Sequence, residues 1–168
     1  GSSGNGGYSH LSGALFGNTT GTQITHVPYK GLGPALNDLM AGQIDVVFDN
    51  MPSSGGLIAG GKLRALAVSS PKRLASLPDV PTYAEVGLKP MNQMSWYGIG
   101  APAHLDAAVL NQLSAALKKT LQNPELVKTI EQQSAIVDYQ TPQQFRQTVE
   151  RSNQAWARLV KDIAFEKM

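Results

Sequence analysis

Apolar positions along this chain change their period several times, and each change predicts an element. Leu11, Ala14 and Leu15 recur at helical spacing between Tyr8 and Gly17, and Gly17 suits a helix stop. Ile24 to Val27 is β-branched and bounded by Gly21 and Pro28, which predicts a strand. Pro34 sits in the first turn of a second helix carrying Ala35, Leu36, Leu39 and Met40, with Gly42 as its stop. Ile44 to Phe48 predicts a buried strand. Pro52 to Ala59 predicts a weak, Gly-interrupted helix, and Leu63 to Val68 a third strand.

Residues 70–95 are rich in proline and lack long periodicity. Within them Thr82 and Glu85 have the spacing of a capping box, for a short helix ending at Gly87. Trp96 to Gly100 and Ile136 to Tyr139 predict strands. A strong helix is predicted from about Asp106 to Leu121, and Asn123-Pro124 starts another with Leu126, Val127 and Ile130. Thr141-Pro142 starts a long last helix whose apolar face is Phe145, Val149, Trp156, Leu159, Val160 and Ile163. Strands alternating with helices predict an α/β fold with a largely parallel sheet. The segment before residue 95 is rich in glycine and loops, and the segment after it is helical. A lobe boundary is therefore expected there, dividing 1–95 from 96–168.

Composition narrows the function. The chain is 42% hydrophobic and 15% charged, so it is globular. Net charge is +2, and the basic residues are scattered apart from short pairs such as Lys72-Arg73 and Lys118-Lys119. Without a basic stripe interleaved with aromatics, nucleic acid is not an expected partner. The absence of cysteine excludes disulfides, thiolate catalysis and Cys-based zinc sites. The longest apolar runs fall far below the ~20 residues needed to cross a bilayer. No signal peptide is visible, which leaves a mature chain, a fragment or a cytoplasmic protein. Gly1-Ser2-Ser3-Gly4 is open to two readings, an expression scar or natural sequence.

In open α/β sheets, ligands bind beyond the carboxyl ends of strands, where loops lead into helices. Three such loops stand out: Ser2-Ser3-Gly4-Asn5-Gly6-Gly7, Tyr29-Lys30-Gly31-Leu32-Gly33 and Asp49-Asn50-Met51-Pro52-Ser53-Ser54. Each combines small residues with hydroxyl or amide groups. Glycine lets backbone N–H groups approach a ligand, and a helix N-terminus carries partial positive charge. Together they suit an anion without a fixed cation, and a carboxylate is the natural guest. Any one of these loops reads first as an ordinary surface turn, because Gly-rich turns are common; three in succession favour a site.

Nucleotide and catalytic motifs fit poorly. Ser9 stands where a dinucleotide fingerprint has its third glycine, and no P-loop is present. His10, His26 and His104 have no metal-ligand spacing, and there is no Gly-x-Ser-x-Gly elbow. No cofactor, metal site or catalytic residue is expected. His10 reads as a helix-face residue near the first loop, His26 as a satisfied strand histidine and His104 as exposed. Asp49 either orients its loop and accepts from a ligand, or caps the Pro52 helix. Lys30 either pairs with an anion or is an ordinary exposed lysine. Tyr29 either lends its hydroxyl to the pocket or packs at a strand end. Trp96 and Tyr97 either line a cleft or belong to a lobe core.

At these loops the sequence resembles a known family. The stretches that carry the resemblance include Ser2-Ser3-Gly4-Asn5-Gly6, His26-Val27-Pro28-Tyr29-Lys30-Gly31 and Gly42-Gln43-Ile44-Asp45-Val46-Val47-Phe48-Asp49-Asn50. Further along, Gly61 to Val68, Leu77-Pro78-Asp79-Val80-Pro81-Thr82 and Trp96-Tyr97-Gly98 follow in the same order. They are similar to the substrate-binding proteins of tripartite tricarboxylate transporters, the Bug family, over nearly the whole chain. The resemblance implies a type II-like periplasmic binding protein clamshell, and no reaction. It implies a small mono-, di- or tricarboxylate or amino acid held between lobes by backbone amides, hydroxyls and waters, for delivery to membrane transporter subunits.

By motif match the resemblance puts Ser3, Gly4 and Asn5 in a first binding loop, Tyr29, Lys30 and Gly31 in a second, and Asp49 and Asn50 in a third. Leu32 departs from a common glycine, and Gly7 from a common threonine or serine. Family members are much longer and begin with a signal peptide. On this resemblance the chain is lobe two, incomplete at its N-terminus, plus the C-terminal return segment of lobe one. Ser2 to Gly6 are then natural sequence. The parent protein is expected to be periplasmic and monomeric, and the fragment to expose apolar surface and self-associate. Two other classes stay open: a small-acid-processing enzyme using Asp49 or His10, and a receptor presenting its ligand to a membrane sensor.

Overall fold

The computed structural model describes residues 1–162. Among the described residues six helices form: α1 (Tyr8–Thr20), α2 (Leu32–Met40), α3 (Met51–Ala59), α4 (Ala107–Thr120), α5 (Pro124–Gln132) and α6 (Pro142–Asp162). A single 3-10 turn, Lys89–Met91, precedes α4. Ile163, expected on the apolar face of α6, lies outside the described residues.

Helix ends follow the local chemistry. The α1 helix runs past the expected stop at Gly17 and ends at Gly21, which takes a left-handed φ of 66°. Gly17 still has a role. Thr22 N–H returns to the Gly17 carbonyl at 3.0 Å, and a Cβ on Gly17 would meet the Thr22 carbonyl at 2.9 Å. In α2 the start moves forward to Leu32, so Pro34 is its third residue. Its end is as expected, with Gly42 at φ 71° and Gln43 N–H closing onto the Asp38 carbonyl at 2.8 Å. Asp106 caps α4 by accepting from Ala108 N–H at 2.7 Å, and Asn123 caps α5 by accepting from Glu125 N–H at 3.0 Å. Thr141 and Gln144 close a reciprocal capping box at the start of α6.

The Thr82–Glu85 box also closes. Thr82 N–H donates to Glu85 Oε2 at 2.7 Å, and Glu85 N–H donates to Thr82 Oγ1 at 3.2 Å. It encloses a turn instead of the expected helix. Leu88 N–H returns to the Tyr83 carbonyl at 2.8 Å, and Gly87 leaves in the left-handed region at φ 83°.

The strands are the main correction. Ile24 to Val27, Ile44 to Phe48, Leu63 to Val68, Trp96 to Gly100 and Ile136 to Tyr139 form no ladder among the described residues. Two isolated parallel bridges remain, Ser2 with Pro28 and Val68 with Thr82. The reason is visible at the first residues. Ser2 N–H donates to the Val27 carbonyl at 3.1 Å, and the Gly1 amino group donates to the Val46 carbonyl at 2.7 Å. Gly1 and Ser2 thus bond to two β-prone segments, at Val46 and Val27, and the backbone of each segment finds one partner group there. A ladder requires successive residues of a neighbour in register, and β-branched composition alone cannot supply one.

The chain divides into two compact units. One comprises Gly1–Ser95 with the chain from Trp156 onward, and the other is Trp96–Ala155. The last turns of α6 go with the first unit because their side chains pack there. Trp156 meets Tyr8 edge-on at 6.0 Å, and Leu159 is buried. Leu159 joins Leu11, Ala35, Leu36, Ile44, Val68 and Met91 in the core. In the second unit Trp96 stands edge-on to Phe145 at 5.0 Å and donates its indole N–H to Ser152 Oγ at 3.0 Å. Tyr97 is exposed.

Candidate functional site

The first and second loops lie side by side. Beyond the Ser2–Pro28 bridge, Tyr29 N–H donates to the Ser2 carbonyl at 3.0 Å and Gly31 N–H to the Ser3 carbonyl at 3.3 Å. Parallel pairing therefore delivers Ser3-Gly4-Asn5 and Tyr29-Lys30-Gly31 to one edge. Gly4 at φ 132° and Gly31 at φ 105° hold backbone conformations that side-chain-bearing residues rarely adopt. Gly31 is the N-cap of α2, so the positive end of that helix faces the second loop.

Hydroxyl groups order the first loop from below. Ser2 is fully buried. Its Oγ donates to the Gly4 carbonyl at 3.1 Å, accepts from Gly4 N–H at 3.2 Å and shares a 2.6 Å hydrogen bond with His26 Nε2. Ser9, buried in the first turn of α1, accepts from Ser3 N–H at 2.9 Å, and its Oγ lies 3.2 Å from Ser3 Oγ. His10 Nδ1 accepts from Gly6 N–H at 3.1 Å. Sequence reasoning singled out neither Ser2 nor Ser9 as an organiser. The only signal was their small polar character beside glycines, which ordinary turns share.

The remaining expected residues fall as follows. Asn5 and Lys30 are exposed. Tyr29 turns its hydroxyl to α2, donating to Asp38 Oδ2 at 2.8 Å, and this bond to a carboxylate raises its pKa above the ordinary value. Asn50, not Asp49, is the N-cap of α3, without a side-chain capping bond. The Asn50 amide oxygen instead accepts from Ser95 Oγ at 3.0 Å. Asp49 Oδ1 accepts from Asn50 N–H at 2.6 Å, while Oδ2 is buried with no hydrogen-bond partner. Burial pushes the Asp49 pKa up, against the Asn50 amide and the Ser54 and Ser53 hydroxyls beside it, which pull it down.

A cavity of about 300 Å³ opens in the first unit, and none of the eight expected residues lines it. Its walls are the His10, Gly13 and Gly17 face of α1, the segment Ile24-Thr25-His26, and Val46 and Phe48. Gly1 and Ser9 close one end, so the cavity lies next to the first loop's anchors. Inside it the His10 and His26 rings stack, with centroids 3.6 Å apart and planes 3° from parallel. Among the described residues no group of three or more His, Asp or Glu is placed to hold a metal. No described helix is long and apolar enough to cross a membrane.

Comparison with known proteins gives this arrangement its class. A structure described as a periplasmic transporter superposes with a TM-score of 0.90 at 41% identity, covering 95% of this chain and 53% of that one. A protein of R. palustris solved with adipate gives a TM-score of 0.84 at 33% identity, over 93% of this chain and 52% of that one. MatC from Rhodopseudomonas palustris with bound malate gives 0.79 at 28% identity, over 92% and 54%. The fold is thus an α/β partial clamshell of the periplasmic solute-binding type.

The model of the tripartite tricarboxylate transporter family receptor matches residues 1–165, and the chain belongs to that family. A UPF0065 protein from the TAR-I ttuE-ttuC' intergenic region of Agrobacterium vitis is 37% identical over 158 residues, 90% of this chain and 46% of its own length. Protein BugT of Bordetella pertussis is 35% identical over 157 residues, 94% of this chain and 48% of its own. The chain spans about half the length of these relatives.

Proposed function

We propose that the chain is part of an extracytoplasmic receptor that captures a small carboxylate on its strand-end loops and serves the membrane subunits of a tripartite transporter. The observation that carries this reading is the parallel pairing of Ser2 with Pro28, which sets two glycine-bearing loops together at a helix N-terminus. The first-turn N–H groups of α2, at Leu32 and Gly33, and the Ser3 hydroxyl are the donors proposed for the carboxylate, without a buried cation. Adipate and malate on two structural neighbours agree with a carboxylate guest. On this reading Ser3, Gly4, Asn5, Tyr29, Lys30, Gly31, Asp49 and Asn50 surround the ligand. Tyr29 serves by position, since its N–H is held by the Ser2 carbonyl and its hydroxyl by Asp38. On this reading residues 1–95 are lobe two and 96–168 the return segment of lobe one, except that the last turns of α6 pack with the first unit; the relatives are about twice as long, and the rest of the cleft is expected from that length.

The test is a thermal-shift screen of the full-length protein against mono-, di- and tricarboxylates, followed by calorimetry on the best ligand. Micromolar or tighter binding by the full-length protein, lost in Gly4→Val, is the expected result. No shift with any carboxylate overturns the reading. The 168-residue chain alone is expected to bind weakly, because it carries half of the cleft.

A further inference from the structure

The stacked histidines inside the cavity have no part in the reading above, yet both hold the first loop. His26 does so through Ser2, whose hydroxyl bonds both the N–H and the carbonyl of Gly4. His10 does so directly, with Nδ1 accepting from Gly6 N–H. The two rings lie face to face at 3.6 Å. We propose that His10 and His26 form one positioning unit, in which His26 donates from Nε2 to the Ser2 hydroxyl and His10 accepts from Gly6 N–H, and which releases the Gly6 end of the carboxylate-binding loop when His10 is protonated. The proposal rests on the carboxylate reading for its consequence, but the loop's response to protonation stands apart from it.

The chemistry follows from the contacts. An imidazole nitrogen accepts a hydrogen bond only with its lone pair free. A proton on His10 Nδ1 puts a donor against the Gly6 N–H donor, and that end of the loop loses its anchor. A charge on either ring opposes a charge on the other at this separation. No carboxylate lines the cavity among its described walls. Burial lowers the pKa of both histidines below the ordinary value, and His26 is lowered further by His10. Neutral rings are therefore the resting state at pH 7. The anchor weakens as pH falls below the ordinary histidine range near about 6.5.

The experiment uses the full-length protein and two readouts. In the first, NMR follows the imidazole nitrogens of His10 and His26 and the amides of Gly4 and Gly6 between pH 7.5 and 5. The loop amides are expected to shift in step with the rings. In His10→Asn, whose side-chain oxygen can still accept from Gly6 N–H, the Gly6 shift is expected to lose its pH dependence. Amides that stay fixed while the rings titrate overturn the proposal, whether or not any ligand binds. In the second, calorimetry with adipate measures affinity at pH 7.5 and 5.5. Wild type is expected to lose about tenfold more affinity than His10→Asn, since adipate's own titration is common to both. His10→Ala is expected to lose about five- to tenfold at pH 7.5, the scale of one hydrogen bond, and His10→Asn to restore most of it. Equal pH slopes in wild type and His10→Asn, or tighter binding by wild type at low pH, overturn the proposal. Failure of adipate to bind at any pH counts against the carboxylate reading and leaves the NMR result to decide the histidine unit. A His10→Ala variant that does not fold leaves both wild-type titrations standing.

Discussion

The two units differ in what they bury. Every buried apolar side chain among the described residues, from Leu11 to Leu159, belongs to the first unit. So do the buried hydroxyls Ser2, Ser9, Ser12, Ser54, Ser70 and Thr82. The second unit has neat helices and no fully buried residue in α4 or α5. Its apolar stripe is left open: Val109, Leu110 and Leu113 of α4 are exposed, as are Ile99 and Ile136. Helices capped by Asp106 and Asn123 form well without having their faces covered. Capping and periodicity act locally, whereas most of a helix's stability in a protein comes from packing its amphipathic face. The first unit has a core against which its loops are set, and among the described residues the second has no buried apolar side chain.

The largest expected effect tests that difference directly. In the 168-residue chain, Leu36→Ala removes a buried side chain and should cost about 2–5 kcal/mol in urea unfolding. Leu113→Ala, at a position half exposed, should stay within about 0.5 kcal/mol. Equal costs would break the comparison. A Leu113→Ala cost that becomes large only in the full-length protein would sharpen it, by showing that this face is covered there.

Next comes the tightest spot in the second unit. A Cβ on Gly98 would run into the Phe145 ring, so Gly98→Ala should destabilise by about 1–3 kcal/mol. A neutral result would mean that even the Trp96–Phe145 cluster is loose. Removing helix and turn caps should then be similar in both units. Thr82→Ala in the first and Asp106→Ala in the second should each cost about 1 kcal/mol, because a cap acts on its own turn whatever surrounds it. A much larger loss for Thr82, which is buried, would place its weight in packing instead.

The smallest effect concerns Asp49. Its folded pKa is raised above the ordinary carboxylate value, chiefly by burial. The stability linked to it is therefore fully present below the unfolded value near about 4 and is lost as pH rises through the raised folded value. Asp49→Asn keeps an acceptor for the Asn50 N–H and removes the charge. Its gain in Tm over wild type should be absent near pH 4 and reach its plateau by neutral pH. A constant difference across that range would mean that burial does not govern this carboxylate.

The amino-acid sequence by itself determined six of the helices, several of their caps and the loops, but not the Thr82–Gly87 segment, whose capping box closes on a turn. Proline, asparagine, aspartate and glycine act within one turn, so Asp106, Asn123, Thr141 and Gly42 were legible one residue at a time. The glycine-bearing loops were legible too, since Gly4 and Gly31 are where the backbone takes conformations that other residues avoid. What only the tertiary structure decided was pairing. Ile24 to Val27 and Ile44 to Phe48 have strand composition and no ladder, because register needs a neighbour that local pattern cannot name. The same holds for the anchors of the first loop. His10 and His26 lie sixteen positions apart in the chain and stack at 3.6 Å only because α1 folds back over the segment that ends in the Ser2–Pro28 bridge.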